Sequence, residues 1–152
     1  MTRRLQNSFS VLAVIFATIQ VLPVSRAKPE TDPSATVAEI ASPPSEVKAL
    51  LQRCCADCHS HETRWPWYSK VAPVSWLTAV HVNDGRARLN FSCWAETDAV
   101  KRRVQLEGMV KAVDDGYMPP SSYQWLHRDA VLSDAEKKLL TTWLRSAAEQ
   151  VR

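Results

Sequence analysis

The segment Cys55-Ala56-Asp57-Cys58-His59 constrains this chain more than any other part of its sequence. A C-x-x-C-H pentad places two thiols about one helical turn apart and a histidine directly after the second thiol. This spacing is the attachment signature of a c-type haem, in which each thiol adds to one vinyl group and the histidine becomes the proximal iron ligand. The pentad therefore predicts one haem c, covalently attached through Cys55 and Cys58, with His59 on the iron.

A C-x-x-C pair also occurs in zinc sites and in thioredoxin-like redox sites. A zinc site would need two further ligands, but the other cysteines, Cys54 and Cys93, form no second pair. A thioredoxin-like site would follow a strand of an α/β chain, and the sequence shows no strand pattern. Haem attachment is thus the favoured prediction, with a metal or dithiol site as the alternative.

The N-terminus has the features of an export element. Arg3 and Arg4 form a basic start, and an apolar run extends from Phe9 to Val24. Ser25-Arg26-Ala27 then offers small residues for cleavage. The run is long for a signal peptide and slightly short for a membrane span, so residues 1–27 are predicted to be a cleaved signal or a retained membrane anchor. Either way the body is expected in the periplasm, where bacteria attach c-type haem.

Composition separates this segment from the rest of the chain. The formal net charge of +3 comes from Arg3, Arg4 and Arg26, so the remainder is neutral and gives no support to nucleic acid binding. Residues 28–44 are rich in Pro, Ser, Thr, Ala and acids and predict a flexible tether. Residues 45–150 predict one domain, in which six Trp and only three Gly suggest a compact body around a large flat group.

Apolar periodicity predicts that this body is all-α. The first helix begins near Ser45 and delivers the pentad, the second covers about 74–89, and the third covers about 94–115. Gly85 is expected to weaken the second helix, and Gly116 to end the third. A capping box at Ser133-Asp134-Ala135-Glu136 begins a last helix, which is expected to pack across the first. The apolar stripe expected on the third helix comprises Val100, Val104, Met109, Val110 and Val113.

Aromatic residues are dense in the irregular stretch that follows the pentad. Pro66 and Pro73 exclude a continuous helix through this stretch. Since a haem is a large apolar plate, we expect at least one of Trp65, Trp67 and Tyr68 to line its pocket. All three are therefore candidate haem-binding residues.

Met118 is the predicted distal iron ligand. Pro119 and Pro120 follow it in a loop after a helix, so its thioether can point inward without regular backbone around it. The chain between His59 and Met118 is long enough to wrap around the haem. The alternatives for the sixth position are His61, His81, His127, Met109 and an open or water-filled site.

With these features in place, the chain resembles the small exported haem-binding domain proteins that are related to cytochrome c. The resemblance covers nearly all of the chain from Ser45 onward. It is carried by Cys55 to His59, Glu62 to Lys70, Ala72 to Leu77, Gly85-Arg86, Leu89 to Ser92, Met118-Pro119-Pro120 and Leu132 to Glu136.

The resemblance implies a monohaem, cytochrome c-like helical domain behind an export or anchor segment, with His59 as the proximal ligand and Met118 as the distal ligand. The end of the apolar run, Ile19 to Val24, looks like the family's membrane-proximal segment. Two residues depart from the family pattern. His81 stands where an acidic residue is expected, and Cys93 stands where a polar or acidic residue is usual.

The favoured function is electron transfer by a His/Met-ligated haem, with redox proteins in the periplasm or inner membrane as partners. The alternative is a peroxidase-like enzyme with an open iron site, for which Arg64, Arg86 and His81 are the candidate assisting groups. A haem sensor, a haem carrier or a subunit of a respiratory assembly is a third class. No hydrolase or phosphate-binding motif occurs, so an enzyme is the less favoured reading.

Overall fold

The protein is all-helical over residues 2–151, the part of the chain that the computed structural model describes. The predicted all-α class is therefore confirmed, and no strand occurs within these residues. The α-helices here are α1 (Thr2–Ile19), α2 (Val37–Ile40), α3 (Ser45–Cys54), α4 (Ala56–His59), α5 (Val74–Arg88), α6 (Ala99–Asp114), α7 (Ser121–Leu126) and α8 (Asp134–Gln150). Short 3-10 turns cover Pro33–Ala35, Trp67–Lys70, Phe91–Glu96 and Arg128–Ala130.

The core lies among α3, α6 and α8. α6 packs along α8, and α3 also contacts α8. Leu106 of α6, Leu140 and Leu144 of α8 and Val47 of α3 are buried there in one apolar cluster. The prediction that the last helix packs on the first helix of the body is confirmed. This packing fixes the helix that leads into the pentad.

The third predicted helix is confirmed in its C-terminal part, where Val110 and Val113 are buried and Met109 packs against the core, and is wrong in its start and at Val100 and Val104. A 3-10 turn over Phe91–Glu96 precedes α6, which begins only after Asp98, whose side chain accepts a hydrogen bond from the Lys101 amide. Leu106, Val110 and Val113 are the buried residues of α6, at positions i, i+4 and i+7. Val100 and Val104 lie at other helical phases and are exposed.

The capping box at the start of α8 is confirmed. The Ser133 hydroxyl accepts from the Glu136 amide, and the Glu136 carboxylate accepts from the Ser133 amide. Glu136 also pairs with Arg53 of α3. The Ser133 hydrogen bonds, assisted by Arg53, lower the pKa of Glu136 to about 2. The carboxylate therefore stays ionised and joins the start of α8 to α3.

Residues 28–44 are more ordered than a flexible tether. Asp32 caps the turn Pro33–Ala35, and the Thr36 hydroxyl accepts from the Glu39 amide at the start of α2. Val37 is buried in the core cluster, and both short elements contact the turn Phe91–Glu96. The expectation that this segment has too little apolar content to pack therefore fails at Val37, because one buried valine and two side-chain caps are enough to hold it.

The predicted export segment forms α1 and an extended stretch behind it. Most apolar side chains of α1 are exposed. The Gln20 amide group donates to the Ala72 carbonyl and accepts from the Ala72 amide, and Arg26 donates to the Ser69 carbonyl. No helix within residues 2–151 is long and apolar enough to cross a membrane. The signal or anchor role of residues 1–27 stays a prediction, and Met1 lies outside the described residues.

Candidate haem site

The pentad forms a separate helical turn at the end of α3. Cys55, with φ −125° and ψ −37°, breaks the helix after Cys54, and α4 covers the next four residues. The amides of Cys58 and His59 both donate to the Cys55 carbonyl, at 3.2 and 3.0 Å. The turn places the two thiols on the wall of one cavity. This is the juxtaposition that attachment of one cofactor to both cysteines requires.

The cavity has a volume of about 400 Å³, is lined mainly by apolar surface and is partly open to solvent. α4 and α5 form one wall, the stretch 63–68 forms another, and the Met118 loop with α7 forms a third. Cys55, Cys58, His59 and Met118 all line it. The structure therefore brings together the two pentad cysteines and both predicted iron ligands.

The His59 ring is fixed by the backbone of α5 and its C-terminal end. Its Nδ1 atom lies 3.0 Å from the Gly85 carbonyl oxygen and 3.1 Å from that of Leu89. Since a carbonyl can only accept, Nδ1 carries the hydrogen and the Nε2 lone pair is left for a metal. Burial lowers the pKa of His59, which favours this neutral form. Such a carbonyl partner is typical of metal-binding histidines.

Gly85 is required by the close approach of α5 to α4. A Cβ atom at this position would lie 2.5 Å from the Cys58 carbonyl oxygen. The sequence-based view of Gly85 as a weak point in the helix therefore missed its role, because the contact is with a residue far away in the chain. The glycine lets α5 approach closely enough for its carbonyl to reach the His59 ring.

Two of the three predicted aromatic residues line the cavity. Trp65 does so, and its Nε1 atom is buried without a hydrogen-bond partner among the described residues. Tyr68 also lines it, and its hydroxyl lies 3.3 Å from His127 Nε2. Trp67 is not part of the lining and is 77% exposed. Neighbouring side chains in the 3-10 turn Trp67–Lys70 diverge by about a third of a turn, so Tyr68 faces inward and Trp67 faces solvent.

Only some of the candidate distal ligands line the cavity. Met118 lines the cavity and is 39% exposed, and its amide donates to the Ala112 carbonyl at the end of α6. His81 of α5 and His127 also line the cavity, whereas His61 and Met109 do not. His127 is engaged with Tyr68 and with the Tyr123 carbonyl. Met118 and His81 therefore line the cavity without the contacts that engage His127, and the choice between a protein ligand and an open sixth site stays a prediction.

Partial burial favours the protonated form of the two pentad thiols. Burial raises the pKa of Cys55 to about 12 and also raises that of Cys58. All four cysteines are free, and Cys54 is buried and belongs to the core cluster. The Cys93 Sγ atom lies 3.7 Å from His61 Nε2. No group of three or more His, Cys, Asp or Glu side chains is arranged to hold a metal ion within residues 2–151.

Sequence reasoning missed Asp57 and Tyr123, two polar residues in the cavity wall. Asp57 occupies a variable position of the pentad, and Tyr123 belongs to α7, a short helix that the sequence pattern did not predict. Their side chains form a hydrogen bond of 2.7 Å. No local sequence pattern predicts this hydrogen bond, because Asp57 and Tyr123 are far apart in the chain.

The residues present fit a haem. The cavity is apolar, two thiols and an oriented imidazole face it, and the unpaired Trp65 N–H offers a donor to a polar group of the cofactor. A sequence profile described as a haem-binding domain matches residues 14–146. Comparison with curated proteins and with solved structures gave no match. The profile match covers most of the chain and includes every residue named in the site.

Proposed function

This chain belongs to the haem-binding domain family, and we propose that it carries one haem c on Cys55 and Cys58 and transfers single electrons outside the cytoplasm. The observation that carries the proposal is the position of His59. Its Nδ1 atom is held by two backbone carbonyls while both thiols of the same turn line the same cavity. An imidazole oriented in this way beside two attachment thiols is the arrangement that a proximal haem ligand needs.

Attachment consumes both thiols. Each S–H adds across one vinyl group, so that a carbon–sulfur bond forms, the thiol hydrogen goes to the other vinyl carbon, and no electron is lost or gained. Partial burial raises the pKa of both thiols, so attachment would need a means of activating them, which the haem-attachment machinery would supply. The two thioether bonds then hold the cofactor against α4.

A bound haem would supply an iron that can change between the ferric and ferrous states. The chain's residues would hold the iron and limit its access to solvent. His59 Nε2 and Met118 Sδ are the atoms that would ligate it. A thioether stabilises ferrous iron better than a second imidazole does, so this ligand pair raises the reduction potential relative to a bis-histidine site. The apolar cavity wall disfavours the extra charge of ferric iron and acts in the same direction.

The peroxidase-like alternative receives less support from the geometry. It needs an open iron site and a free basic group beside it. Arg86 is engaged with the carbonyls of Ala27 and Ser60 and with the Thr63 hydroxyl, and Arg64 is paired with Asp57. His81 remains the one candidate of the three that lines the cavity without such a partner among the described residues. If Met118 is shown not to ligate the iron, His81 becomes the next candidate, either as the sixth ligand or as a base beside an open site.

Met118→Ala is expected to remove the sixth ligand without removing the haem. In the wild-type protein, exported together with haem-attachment machinery, we expect a covalent c-type spectrum with a weak far-red thioether-to-iron band in the oxidised form. The band should disappear in Met118→Ala, and cyanide should bind at least about tenfold faster because no protein ligand has to leave the iron first.

Met109→Ala is the matched control, since Met109 packs against the core and does not line the cavity. It should keep the band. If the wild type lacks the band and Met118→Ala binds cyanide no faster, Met118 is not the distal ligand. His81→Ala then decides between ligation by His81 and an open site.

The domain limits, location and partners follow from the same proposal. Residues 45–150 form the haem-binding domain, and residues 28–44 connect it to the export or anchor segment. A single haem in a pocket with one open side fits a carrier that exchanges electrons with redox proteins of the periplasm or inner membrane.

A further inference from the structure

The Asp57 carboxylate accepts four hydrogen bonds, although the C-x-x-C-H motif does not specify the residue at this position. Its side chain is nearly buried, with 8% of the residue exposed. Oδ1 accepts from the backbone amide and Nε of Arg64, at 2.9 and 3.2 Å. Oδ2 accepts from Nη2 of Arg64 at 3.2 Å and from the Tyr123 hydroxyl at 2.7 Å. A buried carboxylate is stable when it is paired in this way, and the short bond to Tyr123 joins α4 to α7.

α7 has little else to hold it in place. It follows directly on Met118-Pro119-Pro120, and none of its residues is buried. Apolar packing therefore contributes little to its position. Burial raises the pKa of Tyr123, so its hydroxyl stays protonated and remains a donor to Asp57.

His127 makes a second polar contact with α7. His127 Nδ1 lies 3.1 Å from the Tyr123 carbonyl oxygen, which can only accept, so Nε2 is the acceptor for the Tyr68 hydroxyl at 3.3 Å. The His127 ring also stacks on the Tyr123 ring, with centroids 4.0 Å apart. Tyr123 is thus the residue at which both contacts meet.

We propose that the Asp57–Tyr123 hydrogen bond is a latch that holds the Met118 loop against the iron and so controls access to the sixth coordination position. The proposal rests on the His59/Met118 ligation stated above. α4 carries both the proximal ligand His59 and the latch residue Asp57, so one short helix sets the positions of both ligands. Asp57 and Tyr123 act as positioning residues, since they influence the iron through Met118.

Tyr123→Phe tests the latch because it removes one hydroxyl and leaves the stacked ring. In the full-length protein with attached haem, we expect the far-red band to weaken and the rate of cyanide binding to rise about tenfold or more. A factor of this size corresponds to loss of one hydrogen bond to a charged group. Amide hydrogen exchange in residues 121–126 should accelerate as well, whereas exchange in α8 should not change.

Tyr117→Phe is the control, because Tyr117 lies in the same loop but is exposed. It should match the wild type in all three measurements. Asp57→Asn combined with Tyr123→Phe should add little to Tyr123→Phe alone in the cyanide rate, since the bond to α7 is already absent and the other partner of the Asp57 carboxylate, Arg64, is not part of α7. Unchanged cyanide binding and unchanged exchange in Tyr123→Phe would overturn the latch.

Met118→Ala, measured in parallel, separates the two proposals. If Met118→Ala accelerates cyanide binding and Tyr123→Phe does not, the latch is wrong and the ligation stands. If Met118→Ala has no effect, the ligation is wrong and the latch loses its role at the iron, whatever hydrogen exchange shows in α7.

Discussion

Gly85→Ala is expected to destabilise the folded protein by about 3 kcal/mol, at the upper end of the usual cost of overpacking. The added Cβ would lie 2.5 Å from the Cys58 carbonyl oxygen and 3.2 Å from the Cys58 Cβ. Because the first of these atoms is backbone, no side-chain rotation relieves the contact, and α5 must move away from α4. The Gly85 carbonyl would then move away from His59 Nδ1, so the same change should weaken the orientation of the proximal ligand.

Gly108→Ala provides the control for this prediction. Gly108 lies within α6, and a Cβ built there meets no atom within 4 Å. Alanine should stabilise the helix by about 0.5 to 1 kcal/mol, since glycine is the poorer helix former. Urea unfolding of both variants measures the difference. If Gly85→Ala were as stable as Gly108→Ala, the close contact between α4 and α5 would be wrong.

Trp94→Ala is expected to cost about 3 to 5 kcal/mol, the range typical of truncating a buried aromatic residue. Trp94 is 2% exposed and belongs to the core cluster, in the turn Phe91–Glu96 that contacts α2. The same turn carries Phe91, whose ring lies beside that of His59, with centroids 6.0 Å apart. Loss of Trp94 should therefore loosen the proximal side of the cavity as well as the core.

Trp67→Ala removes an identical side chain from an exposed position and should change the free energy of unfolding by no more than about 0.5 kcal/mol. It also tests whether Trp67 contacts the haem, because the structure places this ring in solvent. An unchanged haem spectrum in Trp67→Ala agrees with the structure. Equal losses of stability in Trp94→Ala and Trp67→Ala would contradict the assignment of buried and exposed rings.

Features that depend on neighbours in the chain could be predicted from the sequence. The pentad forms a helical turn, the capping box begins α8, and Val47, Leu50 and Leu51 form the buried face of α3, as their spacing indicates. Gly116, with φ 74°, follows the C-cap Asp115 and ends α6, where a left-handed residue is needed. In each case the signal lies within a few residues of the feature that it predicts.

Features that depend on contacts between distant segments could not be predicted from the sequence. The close approach at Gly85, the bond between Asp57 and Tyr123 and the burial of Val37 each join residues that only the fold brings together. The predicted apolar stripe of α6 was wrong at Val100 and Val104 for a related reason. Valines occur at several helical phases of that segment, and contact with α8, rather than local pattern, decides that Leu106 is buried and Val104 is exposed.

The intact mass of the exported protein tests the central claim most directly. The full chain should be produced with haem-attachment machinery that modifies a known c-type cytochrome in the same cells, and then denatured before measurement so that only covalent cofactor remains. The account predicts a mass increase of one haem, which Cys55→Ser combined with Cys58→Ser abolishes. A chain without added mass, with both thiols free to react, would contradict covalent attachment at the pentad.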